Sequence, residues 1–212
     1  PAFNEANITG FEKLSAIPNL NASLEERARS YLDVNCAVCH RPGGAGITFD
    51  ARYDTPLASQ NITNYPAAVS LGYDHAQIVA PKDIWRSLIW QRMNTTNNAS
   101  KMPNLARNLI DTNAVQVITD WINSLPGTPA LAPPVITPAG GSFIASASVT
   151  LTAPDPNATI YYTLDGSLPT TNSFRYSGAF NLFGNASVAA NAFETNFNNS
   201  VAAGALFFVQ PV

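Results

Sequence analysis

Apolar residues recur at helical spacing in three places within the first 125 positions, and further on they alternate with polar ones. Leu24, Ala28, Tyr31 and Leu32 share one face of a helix. Ser23, with Glu26 three residues later, adds a capping box: the serine oxygen accepts from the N3 amide and the glutamate reaches back. The run Ile84 to Trp90 has a period that suits a helix, with Trp85, Leu88, Ile89 and Arg92 on neighbouring turns and Met93 at its end. Val115, Ile118, Trp121 and Ile122 predict a last helix from Thr112 or Asn113 to Ser124, stopped by Pro126-Gly127. Residues 125–134 then read Leu-Pro-Gly-Thr-Pro-Ala-Leu-Ala-Pro-Pro, a stiff linker. Beyond it, alternation predicts strands at 148–152 and 159–164 with Asp165-Gly166 as a turn, and more around 180–183, 187–193 and 205–209. The expected architecture is a multidomain α and β chain. It has a loop-like N-terminal arm (1–22), an all-α domain (23–127), a Pro-rich linker (128–134) and a small antiparallel β-sandwich (135–212).

The chemistry of the first unit is carried by Cys36-Ala-Val-Cys39-His40, which contains both cysteines of the 212-residue chain. Two thiols one helical turn apart, followed at once by an imidazole, is the pattern of covalent c-type haem attachment: the sulfurs add across the two vinyl groups and the histidine is held under the iron. Zinc needs three or four ligands, and beyond these three only His75 remains among the usual nitrogen and sulfur donors. A thioredoxin-like dithiol normally sits in a βαβ context, whereas the residues here are helical and loop-like. The expectation is one covalently attached haem c. For the face of the iron opposite His40 the chain offers Met102, His75, Met93 and lysines. Met102 ranks first, because Pro103 fixes the backbone just after the sulfur. His75, in Gly72-Tyr73-Asp74-His75, ranks second and reads more simply as a surface-loop histidine; Met93 reads as a core or helix-end residue. The loop Arg41-Pro42-Gly43-Gly44-Ala45-Gly46 ends the first helix. Its glycines are in the wrong order for a phosphate cradle, and a carbonyl there is expected to accept the free ring N–H of His40. Pro42, Trp85 and Leu105 are the candidates for packing against the macrocycle, although Trp85 and Trp121 also read as plain core.

Residues from about Ser23 to Gly127 resemble a class I bacterial cytochrome c: a helix leading into the haem motif, a distal Met-Pro loop and a closing helix. Within that class, the run from Tyr31 through Phe49-Asp50-Ala51-Arg52-Tyr53-Asp54-Thr55-Pro56 to Lys101-Met102-Pro103-Asn104-Leu105-Ala106-Arg107 is similar to modules appended to secreted quinoprotein sugar dehydrogenase-like enzymes. The resemblance implies His40/Met102 ligation with Cys36 and Cys39 as thioether donors. Gly140-Gly141-Ser142-Phe143 and the stretch 158–170, Ala-Thr-Ile-Tyr-Tyr-Thr-Leu-Asp-Gly-Ser-Leu-Pro-Thr, resemble the C-terminal immunoglobulin-like domain of chitobiase and β-hexosaminidase proteins. In those proteins catalysis belongs to another domain, so no catalytic residue carries over.

Composition narrows the classes further. With 12% charged residues and a net charge of -3 there is no basic stripe for nucleic acid, and electrostatic steering of partners is expected to be weak. No apolar run is long enough to span a bilayer. Thioether attachment of haem implies a periplasmic or extracellular location, and a chain starting at Pro1 is expected to be a processed or excised product. Eight Asn-x-Ser/Thr triplets, those starting at Asn7, Asn21, Asn61, Asn94, Asn98, Asn157, Asn185 and Asn198, fit chance in a chain this rich in asparagine, serine and threonine. The function expected is one-electron transfer rather than enzymatic turnover, with a redox protein or a fused dehydrogenase domain as partner. Two alternatives stay open. One is a haem enzyme or gas sensor with an open sixth position. The other is a structural subunit of an extracellular, polymeric cytochrome assembly, in which the β-domain or the N-terminal arm mediates self-assembly or binds polysaccharide.

Overall fold

The computed structural model describes residues 14–46, 48–105 and 107–212. Residues 1–13 of the expected arm lie outside the described residues. Helix α1, Leu24–Cys36, starts at the anticipated capping box, with both reciprocal bonds between Ser23 and Glu26 present. It buries Ala28, Ser30 and Leu32 and runs directly into the Cys-His motif. Helix α3, Thr112–Ser124, is capped by Asp111, whose side chain accepts from the Ala114 N–H, and it buries Ala114, Val117, Ile118, Trp121 and Ile122. It ends where Leu125 turns extended, the conformation that a following proline imposes. Helix α2 is shorter than the periodicity predicts, covering only Leu88–Met93. The residues before it are drawn into a turn: Asp83 Oδ1 accepts from the Arg86 N–H, and the Ser87 hydroxyl donates to the Asp83 carbonyl at 2.6 Å. Such side-chain bonds compete with a helical ladder.

Between α1 and α2 the described residues form a single 3-10 turn, Leu57–Ser59, and isolated bridges such as Thr63 with Val79 and Gln77 with Ser87. The described chain as a whole is mostly β and only 18% helical, with three α-helices and two sheets, so the expectation of an all-α first domain is corrected. The physical reason lies in residues 37–87. Prolines at 42, 56, 66 and 81, with glycines, asparagines and threonines between them, favour turns and local side-chain bonds over helix.

From residue 135 on, eight strands form two sheets. The first holds β1 (Val135–Thr137), β3 (Ala147–Thr152) and β6 (Phe180–Leu182) in the order β1-β3-β6. The second holds β2 (Gly141–Ile144), β4 (Thr159–Thr163), β5 (Phe174–Arg175), β7 (Ala186–Phe193) and β8 (Ala203–Gln210) in the order β2-β8-β7-β4-β5. All pairs are antiparallel except β2 with β8, which is parallel and departs from the expected all-antiparallel sandwich. Alternation places Ala205, Phe207 and Val209 of β8 inward and Leu206 and Phe208 outward.

Two apolar clusters result. One spans Ala28 to Ile122 and the other Ile136 to Val209. Between them the linker is clamped on both sides rather than free: Ala130 N–H donates to the Lys82 carbonyl, Leu131 N–H to that of Asn198, and Leu131 is buried. Arg86 crosses the same junction, donating to the carbonyls of Asn199 at 3.0 Å and Ser200 at 3.1 Å.

Candidate functional site

The end of α1 delivers the motif in a tight, backbone-bonded loop. The N–H groups of Cys39 and His40 both donate to the Cys36 carbonyl, at 3.1 and 2.8 Å, and the Gly46 N–H donates to the Cys39 carbonyl at 2.9 Å. Gly44 is required by close approach, since a Cβ there would lie 2.2 Å from the Cys39 oxygen. Both thiols are free; Cys39 is exposed and Cys36 partly covered. Burial, reinforced by Cys39, pushes the Cys36 thiol up to about 12. A thiol kept neutral in this way is a poor redox nucleophile, which weighs against the thioredoxin-like reading of the pair.

His40 is held as a plate. Its ring stacks on Phe49, with centroids 4.2 Å apart and planes 17° apart. On its edge sits Gly46, where a Cβ would come within 2.6 Å of both Cε1 and Nδ1. Nδ1 is enclosed yet has no hydrogen-bond partner, so the expected bond to a loop carbonyl is not formed. Burial, followed by the nearby charge of Arg92, lowers the His40 pKa and favours the neutral imidazole, whose lone pair suits a metal.

Arg92 links this plate to the Met102 loop. Its carbonyl accepts the Met102 N–H at 3.0 Å, while its guanidinium donates to the Ser100 carbonyl. Arg107 pins the same loop to the end of α2 by donating to the carbonyls of Met93, Arg92 and Thr95. Met102 itself is half-buried. Met93 is 5% exposed and belongs to the first apolar cluster. His75 lies elsewhere, lining a cleft with Asn198 and Asn199 at the domain junction. Of the packing candidates, Pro42 and Leu105 are exposed, and Trp85 is half-buried and edge-on to Trp90 at 5.7 Å. Trp121 is a core residue, 1% exposed.

A c-type haem, were it attached at this motif, would meet a His40 ring clamped between an aromatic face and a glycine with no room for a Cβ, and with an orphaned buried nitrogen. Among the described residues, no three His, Cys, Asp or Glu side chains gather to chelate a metal ion directly. Sequence reasoning gave no role to Phe49 or Arg92, and it expected the loop glycines, Gly46 among them, to let backbone pass close to a haem edge rather than against the His40 ring. Phe49 sits beside the motif in the chain, but nothing in its spacing announces a stack, and Arg92 arrives from α2.

Among known families, residues 138–203 match the chitobiase/beta-hexosaminidase C-terminal domain. This supports the immunoglobulin-like reading of the second unit. No curated protein matches the chain. The resemblance of residues 23–127 to class I cytochromes c therefore rests on its own motifs. Among the described residues no helix is long and apolar enough to cross a membrane.

Proposed function

We propose that the chain is an extracytoplasmic electron-transfer protein with one covalently attached haem c, accompanied by a β-sandwich that serves attachment or assembly. The observation that carries this reading is the clamped His40 directly after Cys36 and Cys39. Cys36 and Cys39 would hold the group as thioethers, and His40 and Met102 would be its axial ligands. A haem so ligated supplies reversible one-electron chemistry with little reorganisation, and its thioether ligand raises the reduction potential.

The surrounding residues orient rather than react. Phe49 and Gly46 fix the imidazole plane, and burial keeps that ring neutral. Arg107 holds the Met102 loop against α2, so the thioether is presented from a backbone with little freedom. A redox protein, or a dehydrogenase domain fused to the chain, is the partner this chemistry calls for.

Three measurements test the reading. Intact mass after expression with cytochrome maturation should show one added macrocycle, and its absence refutes the proposal. The oxidised protein should then show a sulfur-to-iron charge-transfer band that Met102→Ala abolishes and Met93→Ala retains. A band that survives Met102→Ala removes Met102 from the ligand set. Ready formation of a carbon monoxide complex by the reduced wild-type protein would favour an open sixth position instead.

A further inference from the structure

At the junction of the two units lies a cleft of about 340 Å3, at the small end of the roughly 300–1,000 Å3 typical of ligand sites. Asn64, His75 and Gln77 come from the first unit, Thr128 from the linker, and Asn198 and Asn199 from the chain between β7 and β8. Three non-glycine residues in or beside it adopt left-handed backbone: Asn64 (φ 56°), His75 (φ 49°) and Lys82 (φ 56°), the last between Pro81 and Asp83, which both line the cleft. Such conformations are uncommon and cluster at functional sites.

The charge inside is already spent. Arg86 donates to Asp74 at 2.7 Å, to Asp83 at 3.0 Å and to two carbonyls. An anion would meet two carboxylates and a guanidinium with no free face, and a cation would compete with that guanidinium for the same carboxylates. Of the other polar groups lining the cleft, four are carboxamides (Asn64, Gln77, Asn198 and Asn199), joined by the Thr128 hydroxyl and the His75 imidazole. Gln77 Oε1 is enclosed without a partner. Asn198 and Asn199 turn their Nδ2 groups onto the carbonyls of Thr128 and Ser200, leaving carboxamide oxygens over. Amides that both donate and accept, beside the apolar rings of Pro81 and Pro126, match vicinal hydroxyls around a flat hydrocarbon face.

We propose that this junction cleft binds a neutral saccharide unit. The proposal is independent of the haem reading, and it places sugar recognition between the units rather than on the sandwich face. The test is calorimetric titration of the haem-loaded protein with cellotriose, xylotriose, maltotriose and chitotriose at millimolar concentrations. At least one should bind. Asn64→Gly, which removes the amide while easing the left-handed backbone, and Gln77→Met, which removes the unpaired acceptor at equal length, should each weaken binding about tenfold or more, about 1.4 kcal/mol. Both variants should keep the wild-type visible spectrum and thermal midpoint, and Tyr161→Ala on the sandwich should bind as wild type. If none of the four sugars binds, or if both cleft variants bind as well as wild type, the cleft is not a saccharide site. A visible spectrum without haem bands in a protein that still binds sugar would sink only the electron-transfer reading.

Discussion

A methyl group in place of the Gly46 hydrogen lands 2.6 Å from two atoms of the His40 ring, and Phe49 at 4.2 Å on the ring's face limits its escape. Gly46→Ala should therefore cost about 1–3 kcal/mol by overpacking, read as a lowered thermal midpoint, with an altered visible spectrum as the imidazole turns. Gly184→Ala is the control. It has nothing within 4 Å of the added carbon and should stay within about 0.5 kcal/mol of wild type. Equal midpoints for the two variants would mean that the ring is not held as described.

Asp50 carries a pH prediction at the same scale. Bonds from the Arg52 guanidinium, helped by the Arg52 N–H and the Thr55 hydroxyl, hold its carboxyl down at about 2 against an ordinary 3.8. A carboxylate depressed on folding stabilises the fold above its unfolded pKa and loses that contribution as pH falls through the folded one. Stability should thus decline between about pH 4 and 2, and Asp50→Asn should flatten that limb in urea unfolding measured across the acid range. An unchanged acid limb in the variant would remove Asp50 from the account.

Among the elements, those with local signals were legible in advance. The α1 start was visible because Ser23 and Glu26 satisfy each other's backbone three residues apart, and the α3 bounds from the spacing of Val115, Ile118, Trp121 and Ile122 and from Pro126 beyond its end; the Asp111 cap at its start went unread. Ser23→Ala removes both the acceptor for the Glu26 N–H and the hydroxyl bonded to Glu26. It should cost about 1 kcal/mol in thermal or urea unfolding, and a loss below a few tenths would mean that the cap is redundant. Strands β3, β4, β6, β7 and β8 were legible from alternation. In contrast, β5 has two residues, too few for a period to show, and β1 follows directly on the Pro133-Pro134 end of the linker. Strand β2 owes its place to a parallel partner more than sixty positions away, which no local pattern encodes. The shortened α2 has a related cause. Its helical periodicity was real, but Asp83 and Ser87 spend their side chains on a turn that Arg86 needs.

For the whole molecule, the composition change over 125–134 pointed to a boundary, while the junction built across it carried no signal in the sequence. Arg86 reads as the polar face of a helix, yet it is 6% exposed and joins Asp74 and Asp83 to the carbonyls of Asn199 and Ser200, more than a hundred residues away. Two carboxylates from one unit and two carbonyls from the other depend on it unequally. Arg86→Met leaves Asp83, with its side chain 5% exposed, as a buried charge without its partner. Breaking a buried pair in this way costs about 3–5 kcal/mol. That penalty falls on the first unit, whereas the sandwich loses two bonds to carbonyls, of which that of Ser200 keeps the side-chain amides of Asn191 and Asn199. Calorimetry of Arg86→Met should therefore show the first unit melting well below wild type and the sandwich melting near its original temperature, with the two transitions drawn apart. The linker, no longer clamped between Lys82 and Asn198, should become the first site of proteolytic cleavage. A second variant, Arg86→Met with Asp83→Asn, removes the stranded charge and should recover much of the first unit's midpoint while leaving the linker cleavable. Recovery of the midpoint together with protection of the linker would show that Arg86 serves the local turn alone and does not hold the two units together.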